Sequence, residues 1–168
     1  MRGIANPRID KIDCAILEQL QREARIPFAE LGRRVGLSTP AVIERVRRLE
    51  ECRVILAYRA EIDPAKVGLP VRAFIKVTVA GDKLFKFASR SQTIPEIVAC
   101  HRVTGAESYI VQIAAQDTEH LEKVIDSLMP YVATNTSLIL ASPVPWKPLA
   151  PACKEDARPK TKDRSPRG

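Results

Sequence analysis

The chain has 168 residues, 45% of them apolar and 28% charged, enough to bury one ordinary core or two small ones in a soluble globular protein. No apolar run reaches the roughly 18 residues of a membrane span. Arg2, Asn6, Pro7 and Arg8 interrupt the stretch where a signal peptide needs its apolar core, so a cytoplasmic protein without a membrane partner is expected.

The net charge of +7 is unevenly spread. Residues 1–63 carry 12 basic and 10 acidic side chains, residues 64–144 carry 8 and 7, and residues 145–168 carry 7 and 3. Most of the basic excess is in the C-terminal tail, so a nucleic-acid reading must rest on where particular arginines fall. Cys14, Cys52, Cys100 and Cys153 show no C-x-x-C spacing. They read as reduced packing thiols, with no metal site and no cofactor expected.

Three helices come first. Asp10 is placed to cap a segment in which Ile12, Ile16, Leu17 and Leu20 recur at helical spacing, with Glu18, Gln19, Gln21 and Arg22 on the other face. Pro27 suits the first turn of a second helix with the stripe Phe28, Leu31 and Val35, and Gly36 follows as a left-handed closing residue. Beyond Leu37, Ser38 or Thr39 caps a third helix, with Pro40 near its start.

From Val54 the period changes. Val54 to Ile62 has strand composition, Asp63-Pro64 marks a turn and Lys66 to Pro70 reads as a connector, which puts a boundary near Pro64. Val71 to Val79 alternates as a half-buried strand, and Asp82 opens a helix containing Leu84, Phe85 and Ala88. Glu96 to Val103 and Ser108 to Ala115 read as strands around a turn at Gly105. Asp117 then caps a helix with Leu121, Val124, Ile125 and Leu128, and Thr136 to Leu140 is the last strand. The order β-α-β-β-α-β is that of a ferredoxin-like unit. The predicted fold class is α+β: a winged helix-turn-helix domain over 1–63, a ferredoxin-like sensing domain over 64–144, and a proline-rich charged tail over 145–168 that is disordered from Lys154.

The chemistry lies in the second and third helices, which the Gly36-Leu37-Ser38 turn joins in a helix-turn-helix. At about 100° per residue, Val42, Ile43, Val46 and Leu49 face the core. Ala41, Glu44 and Arg48 face away, and Arg45 and Arg47 flank them. Such a helix suits the major groove of double-stranded DNA. Ser38, Thr39, Pro40 and Ala41 are small enough for close approach, Arg45 and Arg48 reach bases or phosphates, and Arg33 or Arg34 touch the backbone. The bland alternative has Arg45, Arg47 and Arg48 pairing with Glu44, Glu50 and Glu51 on a solvated helix; the turn and the helix order argue against it.

The stretch IDKIDCAILEQLQREARIPFAELGRRVGLSTPAVIERVRRLEECRVILAYRAEIDPAKVG resembles the N-terminal half of the Lrp/AsnC (feast/famine) regulators. CHRVTGAESYIVQIAAQDTEHLEKVI, followed by NTSLIL, resembles their ligand-sensing half. The resemblance covers about residues 9–144. It implies a DNA reader joined by a strand linker to a domain that forms a homodimer, with dimers assembling into octamers. It also implies a small-molecule effector, commonly an amino acid, bound between dimers.

Two departures stand out. The family usually has glycine after the third helix, where this chain has Arg53, so the turn is either strained or routed differently. The family often has aspartate at the position of Ser108, and its loss removes a partner for a ligand's ammonium group. Gly105, Ala106, Glu107 and Ser108 remain the candidate effector residues, weighed against a plain β-turn that Gly105 alone would explain.

His101 follows Cys100 on a strand, so their side chains point to opposite faces and make a poor catalytic dyad. His120 reads as a solvated helix residue. No enzyme is expected. The alternative is a sirohaem-decarboxylase-like enzyme, which resembles this architecture but carries a histidine-rich cleft and aromatic, arginine-rich stretches that this sequence lacks.

Overall fold

The first helix, α1 (Lys11–Arg22), begins in a capping box. The Asp13 N–H donates to the Asp10 carboxylate at 2.8 Å, and the Asp10 N–H donates to Asp13 Oδ2 at 3.2 Å, so two otherwise orphaned amide groups are satisfied. Helices α2 (Phe28–Val35) and α3 (Thr39–Glu51) follow. Ile16, Leu20, Ile26, Leu31, Val42, Val46 and Leu49 form one buried cluster among the three helices. Ile43, expected in that cluster, is 44% exposed. It lies about 100° around the helix from Val42, past the edge of the buried stripe.

The computed structural model describes residues 9–128 and 132–152. Two compact units result, one running from Glu61 to Pro145 and the other comprising the residues before it together with those from Trp146 onward. The expected disorder from Lys154 lies outside the described residues.

Helix α3 ends in a Schellman motif, with the Arg53 N–H on the Glu50 carbonyl at 2.8 Å and the Val54 N–H on the Leu49 carbonyl at 2.8 Å. The motif needs a left-handed residue, and Arg53 supplies it at φ 55°. Of the two routes open to this turn, the strained one is taken. Arg53→Gly should therefore raise stability by about 0.5–1 kcal/mol: relief of a left-handed cost of roughly 1–2 kcal/mol, less the freedom glycine adds to the unfolded chain. A urea midpoint that stays put or falls would show instead that the arginine side chain holds the turn.

The strand expected over Val54 to Ile62 does not form. Val54 and Ile55 turn their amides to the Leu49 carbonyl and pack on the three-helix cluster. Residues 56–62 are irregular, and Leu56, Tyr58 and Ile62 stand exposed. A strand needs a neighbouring backbone, and among the described residues this segment has none.

In the second unit, a 3-10 turn at Pro64–Val67 leads to β1 (Val71–Thr78), α4 (Leu84–Ser91), β2 (Ile97–Arg102), β3 (Tyr109–Ala115), α5 (Thr118–Leu128) and β4 (Ala133–Leu138). The strands form an antiparallel sheet in the order β2-β3-β1-β4. The last strand starts three residues earlier than its composition suggests. Ala73, Ile75 and Val77 of β1 and Val111 and Ile113 of β3 point to one face, where Phe87, Leu121, Val124 and Leu128 of the two helices complete the core. The other face is open: Phe74 and Val98 are exposed there. A bulge between Ile97 and Ala99 turns Val98 outward. No helix among the described residues is long and apolar enough to cross a membrane.

Candidate nucleic-acid interface

The α2–α3 turn is held by backbone packing as much as by turn chemistry. Gly36 closes α2 at φ 72°, and the Leu37 N–H reaches back to the Gly32 carbonyl at 2.9 Å. A Cβ on Gly32 would lie 2.6 Å from the Leu37 carbonyl oxygen, so only glycine lets the chain fold back this closely. The sequence pattern does not single out Gly32. Ser38 then holds the N-cap position of α3 in extended geometry, without a side-chain bond to the helix, and Pro40 is in the first turn.

Opposite the buried Val42, Val46 and Leu49, the outward face of α3 presents Pro40, Ile43, Glu44 and Arg47, with Ser38 just before it. Thr39 and Ala41 are half-buried at its border. Arg47 is 62% exposed and touches only exposed acids of its own helix, Glu44 at 3.3 Å and Glu51 at 3.6 Å. Arg33, 75% exposed, forms a two-pronged bond with Glu30 at 2.7 Å. Arg34 shares Glu30 and also reaches Gln19 and Glu23. Hydrogen bonds from Arg33 and then Arg34 hold the Glu30 carboxyl down at about 2. Exposed pairs of this kind contribute about 0–1 kcal/mol, so phosphate can displace the acid at little cost.

Arg45 and Arg48 are placed differently. Arg45 donates to Asp10 at 2.7 Å and to Asp13 at 2.8 Å, and Arg48 bonds the second oxygen of Asp13. The Asp13 side chain is fully buried, and those of Arg45 and Arg48 are 27% and 48% exposed. The expectation that both arginines project freely from the outward face needs correcting. They clamp α3 to the start of α1, because a buried carboxylate must be paired. At Asp10, burial would raise the carboxyl, but the Asp13 amide and the Arg45 guanidinium outweigh it and hold it below its usual range. Asp13 was not legible as a site residue, since its partners lie in another helix.

The candidate effector turn also differs from expectation. Gly105 adopts φ 123° and, with Ala106, is exposed, while Glu107 is half-buried. The Ser108 hydroxyl accepts from the Val79 N–H at 3.1 Å and donates to the Val79 carbonyl at 3.4 Å. Its amide bonds the Val77 carbonyl at 2.8 Å. Ser108 thus fastens the turn to the end of β1, and its hydroxyl is engaged with backbone.

His120, expected to be merely solvated, is a staple: Nε2 meets Glu96 at 2.9 Å and Nδ1 accepts from the Gln116 N–H at 3.3 Å. Cys52 and Cys100 carry free thiols, whereas Cys14 is disulfide-bonded, which corrects the reading of four reduced cysteines.

Residues 9–50 match the AsnC-type helix-turn-helix domain and residues 72–149 match the Lrp/AsnC ligand binding domain. The chain is 40% identical over 134 residues to the HTH-type transcriptional regulator LrpC of Bacillus subtilis, covering 80% of this chain and 93% of that one. It is 38% identical over 138 residues to the HTH-type transcriptional regulator AldR of Mycolicibacterium smegmatis, covering 78% and 81%. The solved structure of B. subtilis LrpC superimposes with a TM-score of 0.78 at 39% identity, covering 81% of this chain and 97% of that one. A Neisseria meningitidis transcriptional regulator solved in complex with L-methionine superimposes with a TM-score of 0.79 at 31% identity, covering 83% and 95%. These relatives are transcriptional regulators, and none supports the decarboxylase alternative.

Proposed function

Because the chain belongs to the Lrp/AsnC family of DNA-binding transcriptional regulators, we propose that it reads promoter DNA with the outward face of α3 and adjusts that reading to a small effector, an amino acid or a close relative of one. The observation that carries the DNA assignment is the exposed row Pro40, Ile43, Glu44 and Arg47 behind the tight Gly32–Leu37 turn. Ser38, Thr39 and Ala41 let the helix approach the groove. Arg47 reaches a base edge or a flanking phosphate, and Arg33 and Arg34 exchange Glu30 for the DNA backbone. Arg45 and Arg48 contribute by fixing the tilt of α3, and the half-exposed Arg48 can also share a phosphate.

Arg47→Ala should weaken binding to a cognate promoter fragment by about 1–3 kcal/mol and lower the salt dependence by about one counterion. The fold should survive, since Arg47 touches only exposed acids. The fragment to try first is the chain's own promoter, and band-shift titration at two salt concentrations reads both quantities. Unchanged affinity would remove this face as the reader.

Residues 61–145 act as the sensing and pairing unit in this reading. The open sheet face with Phe74 and Val98 leaves apolar surface for a second copy to cover. Leu56, Tyr58 and Ile62 all fall at even positions of a segment without a strand partner among the described residues, with Ala60 between them, the pattern of a strand completed by another chain. A homodimer follows, with dimers assembling further. At the turn, Gly105, Ala106 and Glu107 are the residues left to meet an effector between dimers, and Ser108 positions them. A cytoplasmic location accords with this role.

A further inference from the structure

Building on the reading of the chain as a DNA binder, we propose that Arg53 is a further DNA contact, a phosphate clamp just past the C-terminal end of α3. Arg53 is the one residue other than glycine with a positive φ among the described residues. The turn it makes is complete without its side chain. Its own amide bonds the Glu50 carbonyl, those of Val54 and Ile55 bond the Leu49 carbonyl, and Val54 and Ile55 pack on the three-helix cluster. Glycine would make the same turn without the left-handed cost.

The free chain gives nothing back for that cost. Arg53 is exposed, and its side chain makes no hydrogen bond or ion pair with a described residue. Two acids stand close to it in sequence, and both are engaged elsewhere: Glu50 accepts from the Tyr58 hydroxyl at 2.9 Å, and Glu51 meets Arg47 at 3.6 Å. The negative end of the α3 dipole attracts a cation, but Arg48 in the last turn already answers that demand from helical backbone. An exposed side chain that strains its backbone and has no partner in the free protein points to a partner outside it.

Position names that partner's chemistry. In a helix-turn-helix the N-terminal residues of the reading helix meet the base edges. Here those are the small Ser38, Thr39, Pro40 and Ala41. Helix α3 has 13 residues, about 20 Å at 1.5 Å each, whereas the major groove is about 12 Å wide. Its far end therefore lies nearer the phosphate wall than the bases. The planar fork of an arginine fits a phosphate with two parallel bonds, and such a contact adds affinity without selecting sequence.

The test is band-shift titration of full-length Arg53→Gly, Arg53→Asn and Arg53→Lys on the chain's own promoter fragment and on a scrambled duplex of equal length. Two salt concentrations are used, with urea unfolding alongside. Glycine and asparagine both suit the left-handed turn and carry no charge. Each should weaken binding to both duplexes about tenfold, the loss of one charge-assisted contact, and lower the salt slope by about one. Arg53→Lys keeps the charge and should stay within about threefold of wild type. Arg53→Gly should lose affinity while being at least as stable as wild type, a split that a structural role does not produce. Unchanged affinity in Arg53→Gly would overturn the clamp and leave the DNA reading, tested by Arg47→Ala, standing. A loss confined to the promoter fragment would overturn it in favour of a base contact. An Arg53→Gly less stable than wild type would overturn it as well, because the side chain would then hold the turn. No binding of either duplex by wild type would overturn both readings.

Discussion

The double variant Arg45→Ala/Arg48→Ala should lose about 3 kcal/mol of stability in the three-helix unit, because it strands the buried Asp13 carboxylate without a cationic partner. The low end of the range for broken buried pairs applies, since Arg48 is half-exposed. Urea unfolding followed by circular dichroism measures it. Adding Asp13→Ala to the pair should recover part of the loss by removing the stranded charge, and that recovery separates a clamp from a simple loss of packing. A double variant as stable as wild type would show that Asp13 finds other partners, and the two arginines would then return to the list of direct DNA contacts. The same cluster sets an acid limit. The Asp10 carboxyl is held below its ordinary range in the folded state, so its contribution is complete above the unfolded value of about 4 and disappears as pH falls through the lowered folded value. Glu30 titrates at about 2, but its partners Arg33 and Arg34 are at the surface, where solvent screens the pair, so it adds little. Thermal melting should therefore begin to fall as the pH drops below about 4, less steeply in Asp10→Asn.

Gly32→Ala should cost about 3 kcal/mol and abolish DNA binding together with the native helix-turn-helix geometry, because the added methyl meets backbone rather than a movable side chain. To relieve a 2.6 Å approach to the Leu37 oxygen, the turn must open, and α3 must then shift against α2. Gly36→Ala makes a useful comparison. No atom lies within 4 Å of its Cβ position, so only the left-handed φ of 72° opposes it, at about 1 kcal/mol. Unfolding curves for the two variants, with band-shift assays beside them, distinguish a steric from a conformational requirement. If Gly32→Ala folds and binds as wild type does, α3 does not depend on this close approach.

Local chemistry was enough to place most elements. Asp10 begins α1, Gly36 ends α2, Asp117 bonds the His120 amide at 2.7 Å at the start of α5, and the alternation from Val71 marks β1; each of these signals lies within a few residues of the element it sets. The helix-turn-helix was legible in the same way, as two helical stripes separated by three residues. The tertiary structure decided what the side chains of those helices do. Arg45 and Asp13 are 32 residues apart and Arg48 and Asp13 are 35 apart, and nothing in the helical period of α3 reveals that an acid on α1 awaits them. Ile43 was placed on the core side of α3 with Val42, Val46 and Leu49, but it lies past the edge of the buried stripe and is 44% exposed. Val54 to Ile62 has the composition of a strand and no neighbouring strand, because pairing belongs to two segments and composition to one. Ser108, read as a ligand contact, closes a backbone bridge to Val79, a partner 29 residues away that its own segment does not reveal. Periodicity records which face of an element is apolar. Which charged group meets which depends on the packing of elements distant in sequence, and only the folded chain sets those distances.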